Sequence, residues 1–208
     1  MKGVNIQQEP SAIPARNALH LKRRLFHMGA ASVFPILAIF LPRGSFLWLL
    51  LVMTLLFVTG DLARLRVARL NRLFRRLLAP LLREREERRL TGASYVLLGT
   101  LAVFALFSPE VGILAVLFTA LGDPVAAVVG RQSPGWRLRG KSPWGTAAMI
   151  GAGLATAGVL HAAGVIPFGW PVAVGALVAG FTELLPLPLD DNLRVPLAAA
   201  AAMTVLGL

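Results

Sequence analysis

GDPVAAVVGRQSPGWRLRGKSPWGT, residues 122–146, carries Gly135, four residues, then Gly140-Lys141-Ser142. That spacing is the G-x-x-x-x-G-K-[ST] signature of a loop whose amides and lysine cradle nucleotide phosphates. In a soluble nucleotide-binding fold the loop joins a buried parallel strand to a helix. Here Arg131-Gln132-Ser133-Pro134 precedes Gly135, which is no central strand. The acidic partner strand would have to be LLPLPLD, residues 184–190, whose prolines lack the N–H groups a ladder needs. The α/β fold is excluded, and the stretches flanking the motif must supply the architecture.

Those stretches are apolar. Of 208 residues, 56% are hydrophobic and 15% charged, and the mean hydropathy is +0.70. A soluble domain carries about 25% charged residues. The apolar residues fall in blocks of roughly 25–41, 45–60, 93–107, 110–129, 145–163, 170–189 and 195–208. The expected fold is all-α, a polytopic integral membrane helical bundle with about seven transmembrane helices. Pro42-Arg43-Gly44 and Ser108-Pro109 read as turns between adjacent helices. Residues 1–24 form a polar tail and 25–208 a single membrane-embedded domain, with no cleavable signal peptide expected. With no cysteine, disulfides and thiolate-bound metals are excluded, and His20, His27 and His161 lie too far apart for a zinc spacing.

The net charge of +11 would suggest nucleic acid in a soluble protein. Alternating the blocks across a bilayer explains it differently. Twenty of the twenty-one basic residues fall in the tail and in 61–92, 130–144 and 190–194, all on one side, with Arg43 alone on the other. This asymmetry places the basic side in the cytoplasm, in a cell's inner membrane, and removes nucleic acid as an expected partner. Within 61–92, Leu62, Leu65, Leu70, Leu73, Phe74, Leu77, Leu78, Leu81 and Leu82 recur at helical spacing. Arg64, Arg69, Arg72, Arg75, Arg76 and Arg83 lie between them. The segment reads as an amphipathic helix on the cytoplasmic membrane surface, interrupted at Pro80.

Charges at the ends of membrane helices are expensive and ask for a function. Asp123, Glu183, Asp190, Asp191 and Asn192 all fall on the cytoplasmic side, as do Lys141 and Ser142 at the start of the fifth block. Carboxylates with an amide oxygen suit Mg²⁺, while lysine, arginine and free helix N–H groups suit phosphate. Each has a bland alternative: Asp123-Pro124 as a helix bend, Glu183 as an arginine's partner, Asp190-Asp191-Asn192 as a polar turn. The Gly/Ala runs at 151–158 and 172–180 read as helix packing.

Three blocks in order resemble the dolichol, phytol and CTP-dependent diacylglycerol kinases. They are Asp123-Pro-Val-Ala126-Ala127-x-x-Gly130-Arg131, Gly140-Lys141-Ser142-x-x-Gly145-Thr146, and Glu183-(x)6-Asp190-Asp191-Asn192-x-x-x-Pro196. Arg24-Leu-Phe-His27-Met-Gly29 and Thr91-Gly92-Ala-Ser-Tyr95 are similar to two further stretches of that family. The resemblance spans about residues 22–197. It implies a membrane lipid kinase that phosphorylates a polyprenol, a phytol-like isoprenoid or diacylglycerol, with CTP as donor. It implies Mg²⁺ on Asp123, Asp191 and Asp190, with Lys141, Arg131 and Ser142 on the phosphates and Gly130, Gly140 and Gly145 in the loops around them. It further implies support from Thr146 and Asn192, and Glu183 orienting the site or activating the lipid hydroxyl. Nucleotidyl transfer to a lipid phosphate, as in the similar phosphatidate cytidylyltransferases, is the second reading, and a small transporter the third.

The topology is open to a direct check, since the chain has no cysteine of its own. A cysteine placed by Arg43→Cys should react with a membrane-impermeant thiol reagent in intact cells, and one placed by Leu138→Cys should not. The reverse labelling pattern would overturn the orientation.

Overall fold

Val111 through Ala120 are ten consecutive buried residues, the middle of a helix with no solvent-facing side. A helix apolar all round can only be the axis of a bundle. The computed structural model describes residues 13–78, 86 and 89–208. Within them run α1 (Ile13–Phe40), α2 (Arg43–Arg66), α3 (Ala68–Leu78), α4 (Gly92–Leu106), α5 (Pro109–Gln132), α6 (Pro143–Ala162), α7 (Trp170–Leu184) and α8 (Asp191–Val205). The axial helix is α5, packed by α1, α4, α6, α7 and α8, while α2 lies outside against α4.

Local chemistry sets where these helices begin. Ser108 caps α5, its Oγ accepting from Val111 N at 3.3 Å, with Pro109 following where its missing N–H costs nothing. Ser142-Pro143 opens α6 in the same way. Pro124 lies inside α5, which nonetheless continues to Gln132.

Among the described residues, three helices are long and apolar enough to cross a membrane: α2, α5 and α6. The apolar part of α1 (Arg24–Phe40), α4 and α7 are shorter. At 1.5 Å per residue, 15 residues reach about 22 Å, short of the ~30 Å hydrocarbon core. The all-helical membrane architecture expected from the sequence is present, but seven full crossings are not supported by helix length. α1 begins at Ile13 and not near residue 25, and α8 begins at Asp191 and not 195, so the Asp190-Asp191-Asn192 turn is a helix start.

The amphipathic 61–92 segment is also revised. Residues 61–66 complete α2, Val67 breaks the helix in an extended conformation, and α3 occupies 68–78. On α3, Leu70, Leu73 and Leu77 are exposed, as an interfacial helix requires. Pro80, Leu81, Leu82 and Arg83 lie outside the described residues. Arg64, expected among the surface arginines, is 3% exposed. Its Nε donates to buried Asp61 at 2.5 Å and its Nη2 to the carbonyls of Glu86 and Arg89, and its guanidinium stacks on Phe74. The other carboxylate oxygen of Asp61 accepts from Thr91 N (2.6 Å), Thr91 Oγ1 (3.0 Å) and Ser94 Oγ (2.7 Å). This pair fastens the end of α2 to the start of α4. Cutting a buried pair by deleting one partner costs about 3–5 kcal/mol.

Small residues bring backbones together where the site will form. Gly122, Ala126 and Gly130 recur every four residues along the α5 face that meets α6, a small-xxx-small seam. A Cβ on Gly145 would lie 2.8 Å from Ala126 O, and one on Gly130 2.9 Å from Ser142 Oγ. Tighter still, a Cβ on Gly99 of α4 would fall 2.2 Å from the carbonyl oxygen of Asn192 on α8.

Gly99→Ala should therefore destabilise by about 1–3 kcal/mol through overpacking. Gly151→Ala, with nothing within 4 Å of its Cβ, should be neutral or stabilising by roughly 0.5–1 kcal/mol, the helical gain of alanine over glycine. Detergent thermal-melt midpoints of the two variants would check this, and equal midpoints would remove the close α4–α8 approach.

Candidate active site

The end of α7 presents carbonyls that the helix cannot satisfy by itself. Two cations take them. Lys141 Nζ donates to Glu183 O, and Arg194 donates through Nη1 to Thr182 O and through Nη2 to Glu183 O. The same two cations hold acids. Lys141 Nζ meets Glu183 Oε1 and Asp191 Oδ2, each at 2.9 Å. Arg194 grips Asp191 Oδ1 through Nε at 2.9 Å and through Nη2. The start of α6, the end of α7 and the start of α8 are thereby joined in one ion cluster.

Lys141 reaches this point because of its backbone. Leu138 and Lys141 exchange N–H···O bonds of 2.8 and 3.0 Å across Arg139 (φ 48°) and Gly140 (φ 90°). Two central residues with positive φ make a type I′ turn, for which glycine is suited at the second position. Gly140-Lys141-Ser142 is thus a turn, a cation and a helix cap. Ser142 is buried; its Oγ accepts from Gly145 N at 3.1 Å and its carbonyl from Thr146 Oγ1 at 3.4 Å.

Burial would lower the pKa of Lys141, but hydrogen bonds to Asp191 and Glu183 and their charges outweigh it, and the net shift is upward from 10.5. The ammonium is charged at neutral pH. A raised lysine pKa means that this stabilisation is complete below the ordinary lysine value and is lost as pH rises through the raised one.

The cluster opens on a cavity of about 360 Å³, within the range of small-molecule sites. Asp123, Lys141, Glu183, Asp190, Asp191 and Asn192 line it, with Tyr95. Asn192 is held from two sides: His27 Nε2 donates to its Oδ1 at 3.2 Å, and its Nδ2 donates to Asp190 Oδ1 at 2.9 Å. The structure brings together residues from four of the stretches singled out in the sequence. Others lie elsewhere. Gly130, Ser142, Gly145 and Thr146 are at the α5–α6 crossing, off the cavity wall, because close helix approach consumes them. Arg131 is exposed on the last turn of α5, donating to Ala127 O at 3.2 Å. Arg24, one turn before His27, does not line the cavity, and Thr91 caps α4 behind it.

Asp61, Arg64, Glu86, Arg89, Arg139 and Arg194 were not foreseen as site or site-supporting residues. Asp61 left a signal, a lone acid closing a long apolar block. Arg194 left a weaker one, three residues after Asp191.

Among the described residues, no group of three or more His, Asp or Glu side chains could hold a metal ion unaided. Mg²⁺ needs only one or two carboxylates, with water and substrate oxygens completing its shell. Asp123 lines the cavity with no hydrogen bond or ion pair to a described residue, a donor that fits. Asp191 fits less well, since Lys141 and Arg194 occupy both its oxygens.

No family profile and no solved structure matches the chain. Among curated proteins, it is 26% identical over 211 residues to the CTP-dependent diacylglycerol kinase 1 of Schizosaccharomyces pombe, covering 90% of each chain. It is 25% identical over 195 residues to uncharacterized protein RP860 of Rickettsia prowazekii, covering 88% of this chain and 93% of that one. Across nine-tenths of its length the chain is a distant homologue of a protein named as a CTP-dependent diacylglycerol kinase, which supports the resemblance to the diacylglycerol and polyprenol kinases.

Proposed function

We propose that the protein transfers the γ-phosphoryl group of CTP to the hydroxyl of a lipid alcohol, working at the cytoplasmic face of a cell inner membrane. The observation that carries the reading is the convergence of Asp123, Lys141, Glu183 and Asp191 on one cavity at the end of an apolar bundle. Phosphoryl transfer asks mainly for positioning and charge neutralisation. The cavity also has an apolar side: Leu185, Leu187 and Leu189 line it and are exposed. A charged floor beside an apolar lip is what a polar donor and a lipid acceptor need together.

In this reading the alcohol oxygen attacks the γ-phosphorus, a new P–O bond forms, and the bridging bond to the β-phosphate breaks. The nucleoside diphosphate leaves. The hydroxyl proton passes to a carboxylate, the role assigned to Glu183. Lys141 holds Glu183 and Asp191 in place. Asp123, with Asp190 nearest in kind, would hold Mg²⁺, which supplies charge neutralisation on the phosphates when bound. The acceptor is a polyprenol, a phytol-like isoprenoid or diacylglycerol.

The test is purified protein incubated with lipid extract and CTP labelled in the γ-phosphate. Label should appear in a phospholipid with release of nucleoside diphosphate. Pyrophosphate release instead would establish nucleotidyl transfer, and neither product would end both enzymatic readings. Lys141→Ala should lower kcat/KM by at least ~100-fold, in line with several kcal/mol for a desolvated charge partner. Asp123→Asn should remove activity while leaving the melting midpoint near wild type. Activity within about threefold of wild type, under 1 kcal/mol in barrier, would take either residue out of the mechanism.

A further inference from the structure

Among the described residues, four cations line the cavity: Arg89, Arg139, Lys141 and Arg194. Two of them are already committed. An ammonium has three N–H donors, and those of Lys141 are matched by Glu183 O, Glu183 Oε1 and Asp191 Oδ2. Arg194 is 7% exposed, with Nε, Nη1 and Nη2 all bonded to Asp191 or to the end of α7. Their charge offsets Glu183 and Asp191, not an incoming ligand.

Arg89 and Arg139 differ. Both are exposed, and neither guanidinium bonds to a described residue. They approach from separate segments, Arg89 from the stretch entering α4 and Arg139 from the turn entering α6. Among the described residues, five carboxylates share the cavity with them (Glu86, Asp123, Glu183, Asp190 and Asp191). A polyphosphate would be repelled there without uncommitted positive charge.

The backbone adds a second, independent observation. Arg139 has φ 48°, at the first central position of the type I′ turn. Asn, Asp and Gly take that position readily, while a long side chain is uncommon at positive φ. Local strain of this kind collects at ligand sites, where the side chain and not the turn explains the residue. The backbone of Arg89 is likewise set from behind, its carbonyl accepting from buried Arg64 Nη2 at 2.8 Å. A planar guanidinium can meet phosphate oxygens through two parallel N–H groups.

We propose that Arg89 and Arg139 are the phosphate clamp of the donor site, taking the polyphosphate of the nucleotide from two segments while Lys141 and Arg194 serve the carboxylates. This rests on the kinase reading above and names the residues that bind its donor. It displaces Arg131, which lies off the cavity.

The experiment uses the full-length protein in detergent, with initial rates measured against CTP and inorganic tripolyphosphate as competitor. Arg139→Asn and Arg89→Gln should each raise KM for CTP about tenfold, the scale of one charge-assisted hydrogen bond (~1.4 kcal/mol). Tripolyphosphate inhibition should weaken in step, with KM for the lipid unchanged. Because Asn suits the turn, Arg139→Asn should melt no lower than wild type, which separates binding from folding. Arg137→Gln is the control. It removes the same charge from the same loop, but Arg137 donates to Arg131 O and Ser133 O and does not line the cavity. Its KM for CTP should stay within about twofold, under 0.5 kcal/mol. Unchanged CTP KM in both clamp variants, with active wild type, would overturn the clamp alone. So would an equal rise in Arg137→Gln, which would mean diffuse charge. Wild-type protein that neither binds CTP nor transfers phosphate would overturn the kinase reading, and the clamp with it.

Discussion

The ammonium of Lys141 stands where α6 begins, α7 ends and α8 begins, and the chemistry of the site depends on that junction. A bundle embedded in hydrocarbon cannot leave helix-end carbonyls or carboxylates without partners. α7 ends at Leu184 with no glycine cap, so its last carbonyls must be met by side chains. Lys141 and Arg194 meet them while also holding Glu183 and Asp191, so one cluster caps a helix and arranges the acids. Stability and site geometry are the same set of bonds here. A change at Lys141 acts on both.

The rest of the cavity wall is built by three other devices. On one side, the Gly122–Ala126–Gly130 seam lets α6 lie against α5, which fixes the direction in which the Arg139-Gly140 turn delivers Lys141. On the other, the buried Asp61–Arg64 pair ties α2 to α4 and holds the carbonyls of Glu86 and Arg89 at the cavity edge. The missing Cβ of Gly99 then lets the first turn of α8 lie directly on α4, carrying Asn192 to His27. Each device is a close approach or a fully paired charge, with little room to adjust. Arg89, Arg139 and the apolar 185–189 loop line the cavity and are exposed.

The Gly-x-x-x-x-Gly-Lys-Ser spacing serves a different architecture here. In a sheet-based nucleotide site the glycines expose amides to phosphate. In this bundle Gly140 makes a type I′ turn, Ser142 caps α6 and packs under Gly130, and of the Gly140-Lys141-Ser142 triplet Lys141 alone reaches the cavity. A nucleotide bound here would meet side chains more than backbone amides. That places the weight of phosphate recognition on cations not already bonded to acids.

The sequence by itself determined the helical membrane class, because long apolar blocks and one-sided charge are properties of composition and order alone. It also brought forward Asp123, Lys141, Glu183, Asp191 and Asn192, since a charge at a membrane helix end is costly wherever the chain goes. It could not separate a surface arginine from a buried one. Arg64 sits in the same basic stretch as Arg69 and Arg72, and only the fold supplies Asp61, Phe74 and the 86–89 carbonyls that let it be buried. Nor could it tell a glycine that frees an amide for phosphate from one that lets two helices touch, as at Gly130 and Gly145. Which carboxylates are already neutralised, and which cations remain available, depends on distances between segments remote in the chain. Those distances are set by packing, which a one-dimensional pattern does not contain.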